Sequence, residues 1–359
     1  MEIATEDTFL VYNRTSVNIT EIARPLQSVD LTLNRILSYM WPCVVLFGIV
    51  ANVINIVVFL KTGAKDNVTI LLIALSMSDL TYLTLISTNV AGYVIAYIVR
   101  PTSLGFDLFL LLHLLFWPAY TAYDLSTYIS VSLGVMRCAC VAMPLQFKLV
   151  FTKSRTILWL LFLVVLAVTL RLPVLMVYRV GRRINPITNV SAPYLEAHNR
   201  DAMYKVLDIL NRGIIVNVAY IKMISCVCVL SFKLYQSTKI RRPNSTAKGL
   251  QSNGQTISNR PDTVTQGLSP KDLQVVKSVV LVCTIFVFAQ LLNVISSTAR
   301  RINSAIDHGG SLVHLFATLS SVNLTCSYLN ASVNIFVYHN YNSKYRAALR
   351  SMFRFKKGK

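Results

Sequence analysis

Residues 157–170 read ILWLLFLVVLAVTL and contain no charged side chain. They belong to an apolar run over about 156–178, which reaches the roughly 20 residues that a helix needs to cross a bilayer. A backbone exposed to lipid must satisfy its own hydrogen bonds, so such a run predicts a transmembrane helix. The alternating pattern of a membrane β-barrel is absent.

Six other apolar runs flank this one along the chain. They cover about 36–60, 69–98, 107–140, 212–236, 274–299 and 311–338. Of the 359 residues, 54% are hydrophobic and only 14% are charged, whereas soluble domains have roughly a quarter of their residues charged. We therefore predict an all-α membrane protein, a seven-transmembrane helix bundle over 36–340. An enzyme is not expected, because the sequence has no HExxH, GxSxG or nucleotide-binding motif.

The charges predict the orientation of the bundle. There are 35 Lys and Arg against 15 Asp and Glu, a net charge of +20 that in a soluble protein would suggest nucleic acid. Here the segments 141–155 and 339–359 are basic and contain no acid, as is typical of cytoplasmic loops. We expect an extracellular segment 1–35, a flexible cytoplasmic loop 237–273, a cytoplasmic carboxyl terminus and no nucleic-acid partner.

Two further features agree with that orientation. Residues 341–359 predict a short amphipathic helix and basic tail lying on the lipid leaflet. Glycosylation sequons on the predicted outer side begin at Asn13, Asn18 and Asn189. These features predict a multi-pass glycoprotein of the plasma membrane.

Four short motifs lie within or at the end of the first, second, third and seventh apolar runs. Residues 48–52 read GIVAN, 75–80 read LSMSDL, 137–145 read RCACVAMPL and 329–338 read LNASVNIFVY. In order and spacing, these resemble the rhodopsin-like (class A) family of G-protein-coupled receptors. Within that family, KDNVTI at 65–70 and CACVAMPLQFK at 138–148 look most like molluscan chemosensory receptors. Invertebrate neuropeptide receptors of the FMRFamide type are near neighbours.

The resemblance implies a switch that activates a heterotrimeric G protein. Its residues would be Arg137, Asn334 and Tyr338. Met136 stands where the family has an acid, Ile335 stands for the proline of NPxxY, and the sixth run has neither the Trp nor the Pro of CWxP. We expect Asp272 to replace the missing acid as the partner of Arg137; an exposed acid near Lys271 is the alternative.

The resemblance also implies a polar core inside the bundle. Its residues would be Asn52, Asp79, Ser126 and Asn330, with Asn334 beside them. In the family this core holds a sodium ion, so a sodium ion at Asp79 and Ser126 is expected; a hydrogen-bonded cluster without an ion is the alternative.

A ligand pocket is expected above this core. Its candidate residues are Tyr120, Tyr123, Asp124, Lys222, Gln290 and Asn293. A buried charge needs a partner, so we expect Asp124 and Lys222 to pair, unless each snorkels or finds an amide. Below a basic outer loop, such a pocket suits a polar or anionic small molecule or a short peptide. Aromatic packing without recognition is the alternative for the tyrosines.

Two other functions remain open from the sequence. The narrower alternative is a neuropeptide receptor of the same family. A membrane transporter or channel using the same polar residues belongs to a different class, and the lack of repeated halves counts against it.

Overall fold

The long apolar runs of the sequence are helices in a computed structural model of the chain. The structure describes residues 23–63, 66–99, 108–143, 147, 149–184, 191–197, 208–240, 270–306 and 310–353. The sequons at Asn13, Asn18 and Asn189, most of the predicted loop 237–273 and the side chain of Asp272 lie outside the described residues.

The first four helices coincide with the first four apolar runs. They are α1 (Ala23–Thr62), α2 (Asn67–Val99), α3 (Leu108–Ala142) and α4 (Lys153–Val177). The helix α1 begins 13 residues before the predicted start at 36, because hydropathy detects only its apolar part. It ends before Gly63, whose positive φ of 81° suits the turn into α2.

The remaining runs are also helical. They form α5 (Val216–Ile240), preceded by a π-helical segment Asp208–Ile215, then α6 (Pro270–Ile302), a 3₁₀ turn Ser304–Ile306, α7 (Val313–Ser332), α8 (Asn334–Tyr341) and α9 (Ser343–Phe353). The sixth run contains no proline, and α6 accordingly runs unbroken from Pro270 to Ile302.

Within the part of the chain that the structure describes, five helices are long and apolar enough to cross a membrane. The spans are Thr32–Thr62, Asn67–Gly92, Lys153–Val174, Ile209–Gln236 and Val280–Ile302. The helices α3 and α7 are not among these spans: α7 contains many polar side chains, and the side chains at the start of α3 lie outside the described residues. The coarser prediction of a helical protein with several membrane-spanning segments is therefore supported.

The helices pack as a ring around polar and aromatic side chains. Contacts join α1 to α2, α2 to α3, α3 to α5, α5 to α6, α6 to α7 and α7 back to α1, while α4 packs outside against α2 and α3. The outer surface is apolar: on α4, Leu161 and Val165 are 58% and 63% exposed. Such a surface is suited to lipid and unsuited to water.

A β-hairpin was not predicted and is the one departure from helices among the described residues. Its strands, β1 (Tyr178–Ile184) and β2 (Ser191–Ala197), are antiparallel, with Tyr178 opposite Ala197. The strand β1 contacts α4 and β2 contacts α3, so the hairpin covers one end of the bundle. We call this the hairpin end, and the opposite end, where α9 packs on α1, the α9 end.

Candidate functional site

A cavity opens between α3, α5, α6 and α7 in the half of the bundle nearer the hairpin. Its volume is about 1060 Å³, including the open mouth. Five of the six predicted pocket residues line it: Tyr120, Tyr123, Asp124, Gln290 and Asn293.

The sixth predicted pocket residue lies elsewhere. Lys222 is exposed on the outer face of α5, so the expected pairing of Asp124 with Lys222 is wrong. Asp124 instead accepts a hydrogen bond and ion pair from Arg171 Nε of α4, with 2.6 Å between Nε and Oδ2. The two side chains are only 16% and 12% exposed, so each charge has its partner inside the protein.

Arg171 was not predicted as a site residue, yet it is central to the cavity wall. Its guanidinium carbon lies 6.0 Å from the ring centroid of Trp117 and 5.9 Å from that of Tyr120. Aromatic faces attract a guanidinium, and together with Asp124 they fix its position. The sequence signal was available, because Arg171 is the one charge near the end of an otherwise apolar fourth run.

The floor of the cavity is a hydrogen-bonded junction of three helices. The hydroxyl of Tyr123 on α3 accepts hydrogen bonds from Gln290 Nε2 on α6, at 2.6 Å, and from Ser327 Oγ on α7, at 3.2 Å. Asn293 Nδ2 in turn donates to Gln290 Oε1 at 3.2 Å. Gln290 therefore lies on the inner side of α6, within the stretch that has neither the Trp nor the Pro of a CWxP motif.

The predicted polar core lies directly below this junction. Asp79 is buried, and its carboxylate accepts hydrogen bonds from Ser126 Oγ at 2.5 Å and from Asn334 Nδ2 at 2.9 Å. These bonds join α2, α3 and α8. Among the described residues Asn330 makes no hydrogen bond to this carboxylate and is half-buried.

Asn52 belongs to a neighbouring contact between α1 and α7. Its Nδ2 donates to the backbone oxygens of Gly48, at 2.9 Å, and Ala331, at 2.8 Å. Its buried Oδ1 has no hydrogen-bond partner among the described residues. Asn52 therefore connects α1 to α7 through the Ala331 carbonyl oxygen.

The seventh run is interrupted even though it lacks the proline of NPxxY. The break between α7 and α8 is at Val333, directly after Ser332, whose Oγ donates to the Tyr328 carbonyl oxygen at 2.6 Å. Such back-bonding by serine bends helices. The bend accompanies the placement of Asn334 against Asp79.

Below the bend, aromatic side chains join the α9 end to α1. The Tyr338 ring lies 5.1 Å from Phe59 and 5.8 Å from Tyr345 between centroids. Tyr345 donates from its hydroxyl to Asn55 Oδ1 at 2.6 Å. Burial raises the pKa of Tyr345, which keeps this hydroxyl protonated.

Arg137 lies near the end of α3 and is half-buried at the α9 end. Its expected pairing with Asp272 stays a prediction, because the Asp272 side chain is outside the described residues. Arg137, Asn334 and Tyr338 therefore lie in the same half of the bundle, and the cavity lies in the other half.

No model of a known protein family matches this chain, and no curated protein is similar enough in sequence to count as a relative.

Proposed function

We propose that this protein is a rhodopsin-like receptor in the plasma membrane, which converts binding of an extracellular chemosensory ligand into activation of a heterotrimeric G protein. One observation carries the proposal: a solvent-accessible cavity, a buried polar core and Arg137 are arranged in sequence along the single helix α3. Tyr123 and Ser126 are three residues apart, roughly 4.5 Å along the axis. Arg137 follows Ser126 after eleven residues, about 16 Å further.

The hydrogen bonds support a route by which a ligand would act. A molecule in the cavity contacts the Tyr123 junction, which holds α3, α6 and α7 together. A ligand favouring a different spacing of these helices shifts the population toward that arrangement. Because Ser126 is bonded to Asp79 one turn below, the same movement of α3 acts on the polar core.

The proposal includes seven crossings, with the amino terminus outside and the carboxyl terminus inside. Five apolar spans support several crossings, and α3 and α7, which belong to the same ring of helices, would supply the other two. The excess of Lys and Arg in 141–155 and 339–359 supports a cytoplasmic α9 end. Epitope tags at the two chain ends, detected on opposite sides of intact cells, agree with this topology; tags on one side contradict it.

The function is tested by a ligand screen with a second-messenger readout in cells expressing the full chain. We expect a ligand response in the wild type and its loss in Arg137→Ala, at equal surface expression. The matched control is Lys153→Ala, which removes an exposed cation at the same end of the bundle and should leave the response intact. A response that survives Arg137→Ala contradicts G-protein coupling through this residue, and a ligand-independent current favours a channel.

A sodium ion in the polar core is a separate part of the proposal. The donor set fits a hard cation in its chemistry, since Asp79 and Ser126 offer oxygens and the buried Oδ1 of nearby Asn52 has no hydrogen-bond partner among the described residues. Asp79 and Ser126 would hold the ion, which would neutralise the buried carboxylate and stabilise the arrangement in which they meet.

Sodium binding predicts a cation-specific gain of stability. Replacing choline chloride by sodium chloride at equal ionic strength should raise the Tm of the purified wild type, because a ligand of the folded state stabilises it. Asp79→Ala should abolish the difference, and Ser78→Ala, a buried change that removes only a bond to the Ala122 carbonyl, should keep it. Equal Tm in both salts for the wild type would rule out the ion.

A further inference from the structure

We infer that the cavity binds an organic carboxylate, anchored by the guanidinium of Arg171; this rests on the proposed function by taking the same cavity as the ligand site. The inference comes from how Arg171 is held. A guanidinium offers five N–H donors in a planar fork, and the Asp124 pair engages it through Nε. The terminal edge, with the two Nη nitrogens, has no acceptor among the described residues of the cavity wall.

The surroundings of Arg171 preorganise that edge. Asp124 holds Nε at 2.6 Å, and the rings of Trp117 and Tyr120 lie about the guanidinium at 6.0 and 5.9 Å. A fixed guanidinium loses less freedom when it binds a carboxylate by two parallel hydrogen bonds. Lysine could not present the same planar edge, so the residue type itself indicates a planar anion.

The balance of charge in the cavity points to the same ligand class. Among the described lining residues, the charged side chains are Asp124, Arg171 and Arg300, which sum to +1. Arg300 lies ten residues above Gln290 on α6, about 15 Å nearer the hairpin end, with its guanidinium carbon 5.0 Å from the Phe316 ring centroid. Two of these three charged side chains are cationic, which favours an anionic ligand over an ammonium ligand.

The approach to the cavity is also basic. Arg179 and Arg182 are exposed on β1, at the hairpin end of the bundle, which is the end nearer to the cavity. Exposed charges of one sign raise the local concentration of the opposite ion and its association rate. The remaining lining groups, such as Tyr120 and Asn293, suit an aromatic or amide-bearing body attached to the carboxylate.

The test measures binding to the purified full-length chain in nanodiscs, without G protein. Thermal stability is recorded with benzoate, hippurate and indole-3-acetate, each compared with its primary amide at constant ionic strength. We expect at least one carboxylate to raise the Tm more than its amide does. If no carboxylate exceeds its amide, the inference is overturned.

The variants assign the effect to Arg171. Because Arg171→Gln alone leaves the partly buried Asp124 without its cation, the double substitution Asp124→Asn with Arg171→Gln is used, which we expect to keep a neutral hydrogen-bonded pair and a folded protein. For this variant, we expect the carboxylate concentration that gives half of the maximal Tm increase to rise by about tenfold or more. This is the effect of losing a charge-assisted pair of hydrogen bonds. Lys222→Gln, which removes an exposed cation outside the cavity, should leave that concentration unchanged. An unchanged value in the double variant overturns the inference.

Failure of this inference is distinguishable from failure of the receptor proposal. If a carboxylate binds but no G protein exchanges its nucleotide, the carboxylate site is supported and the receptor proposal is contradicted. Neutral amides that bind equally well and trigger nucleotide exchange uphold the receptor and overturn the carboxylate.

Discussion

Replacing Asp124 by alanine is expected to lower the free energy of unfolding by about 3 kcal/mol, because removal of one member of a partly buried ion pair leaves an uncompensated charge. The charge left behind is that of Arg171, which is 12% exposed. The expected loss is at the lower end of the usual range of about 3–5 kcal/mol, since the pair lines an open cavity that water enters. Thermal unfolding of the purified chain in nanodiscs measures it.

The control for Asp124→Ala is Lys222→Ala. Lys222 is exposed on α5, so its loss should change the stability by less than about 0.5 kcal/mol. The double change Asp124→Leu with Arg171→Met should recover most of the loss, since apolar residues of similar volume often replace a buried pair at little cost. Equal losses from Asp124→Ala and Lys222→Ala would show that Arg171 does not depend on Asp124.

The same pair shows what depth along a helix can and cannot predict. Counting residues at about 1.5 Å each placed Asp124 inside the membrane and required a partner for it. The position of a residue along the helix axis does not determine which neighbouring helix its side chain faces. Each successive residue is rotated by about 100° around the axis. Asp124 faces α4 rather than α5, so the partner is Arg171, and only the rotation of the packed helices decides between the two cations.

The helices themselves were predictable because an uncharged run such as 157–170 has few other stable forms in lipid. The hairpin was not, since residues 191–197 read SAPYLEA, with a proline and no clear alternation. Its pairing with β1 is a contact between segments that hydropathy does not detect.

The polar core was predicted through family resemblance, and the structure gives that grouping a geometric basis. Asp79, Ser126 and Asn334 meet because α2, α3 and α8 converge there. The interruption at Val333 was not predicted, because the expectation of a bend relied on proline. The hydroxyl of Ser332 donates to the Tyr328 carbonyl oxygen and so competes with the backbone N–H groups of the helix for this acceptor. A rule that looks only for proline does not detect an interruption of this kind.

The contact of α1 with α7 yields the second large effect, at Gly48. In an open helix interior, Gly→Ala raises stability by about 1 kcal/mol. At Gly48 we expect the opposite sign, because an added Cβ would lie 2.1 Å from Ser332 Oγ and 2.6 Å from Leu83 Cδ1. Overpacking of this kind costs about 1–3 kcal/mol, and the hydrogen bond from Asn52 Nδ2 to the Ala331 carbonyl oxygen limits how far α1 can move away from α7.

The rescue experiment separates this steric effect from a loss of helix propensity. Gly48→Ala should lower the Tm in nanodiscs, while Val50→Ala, an exposed change on the same helix, should leave it nearly unchanged. Adding Ser332→Ala to Gly48→Ala removes the closest atom and should restore part of the loss, but the Leu83 contact at 2.6 Å remains. A higher Tm for Gly48→Ala alone would show that α1 and α7 lie further apart than the structure has them. The close approach of residues 48–52 of α1 to α7 would then be contradicted.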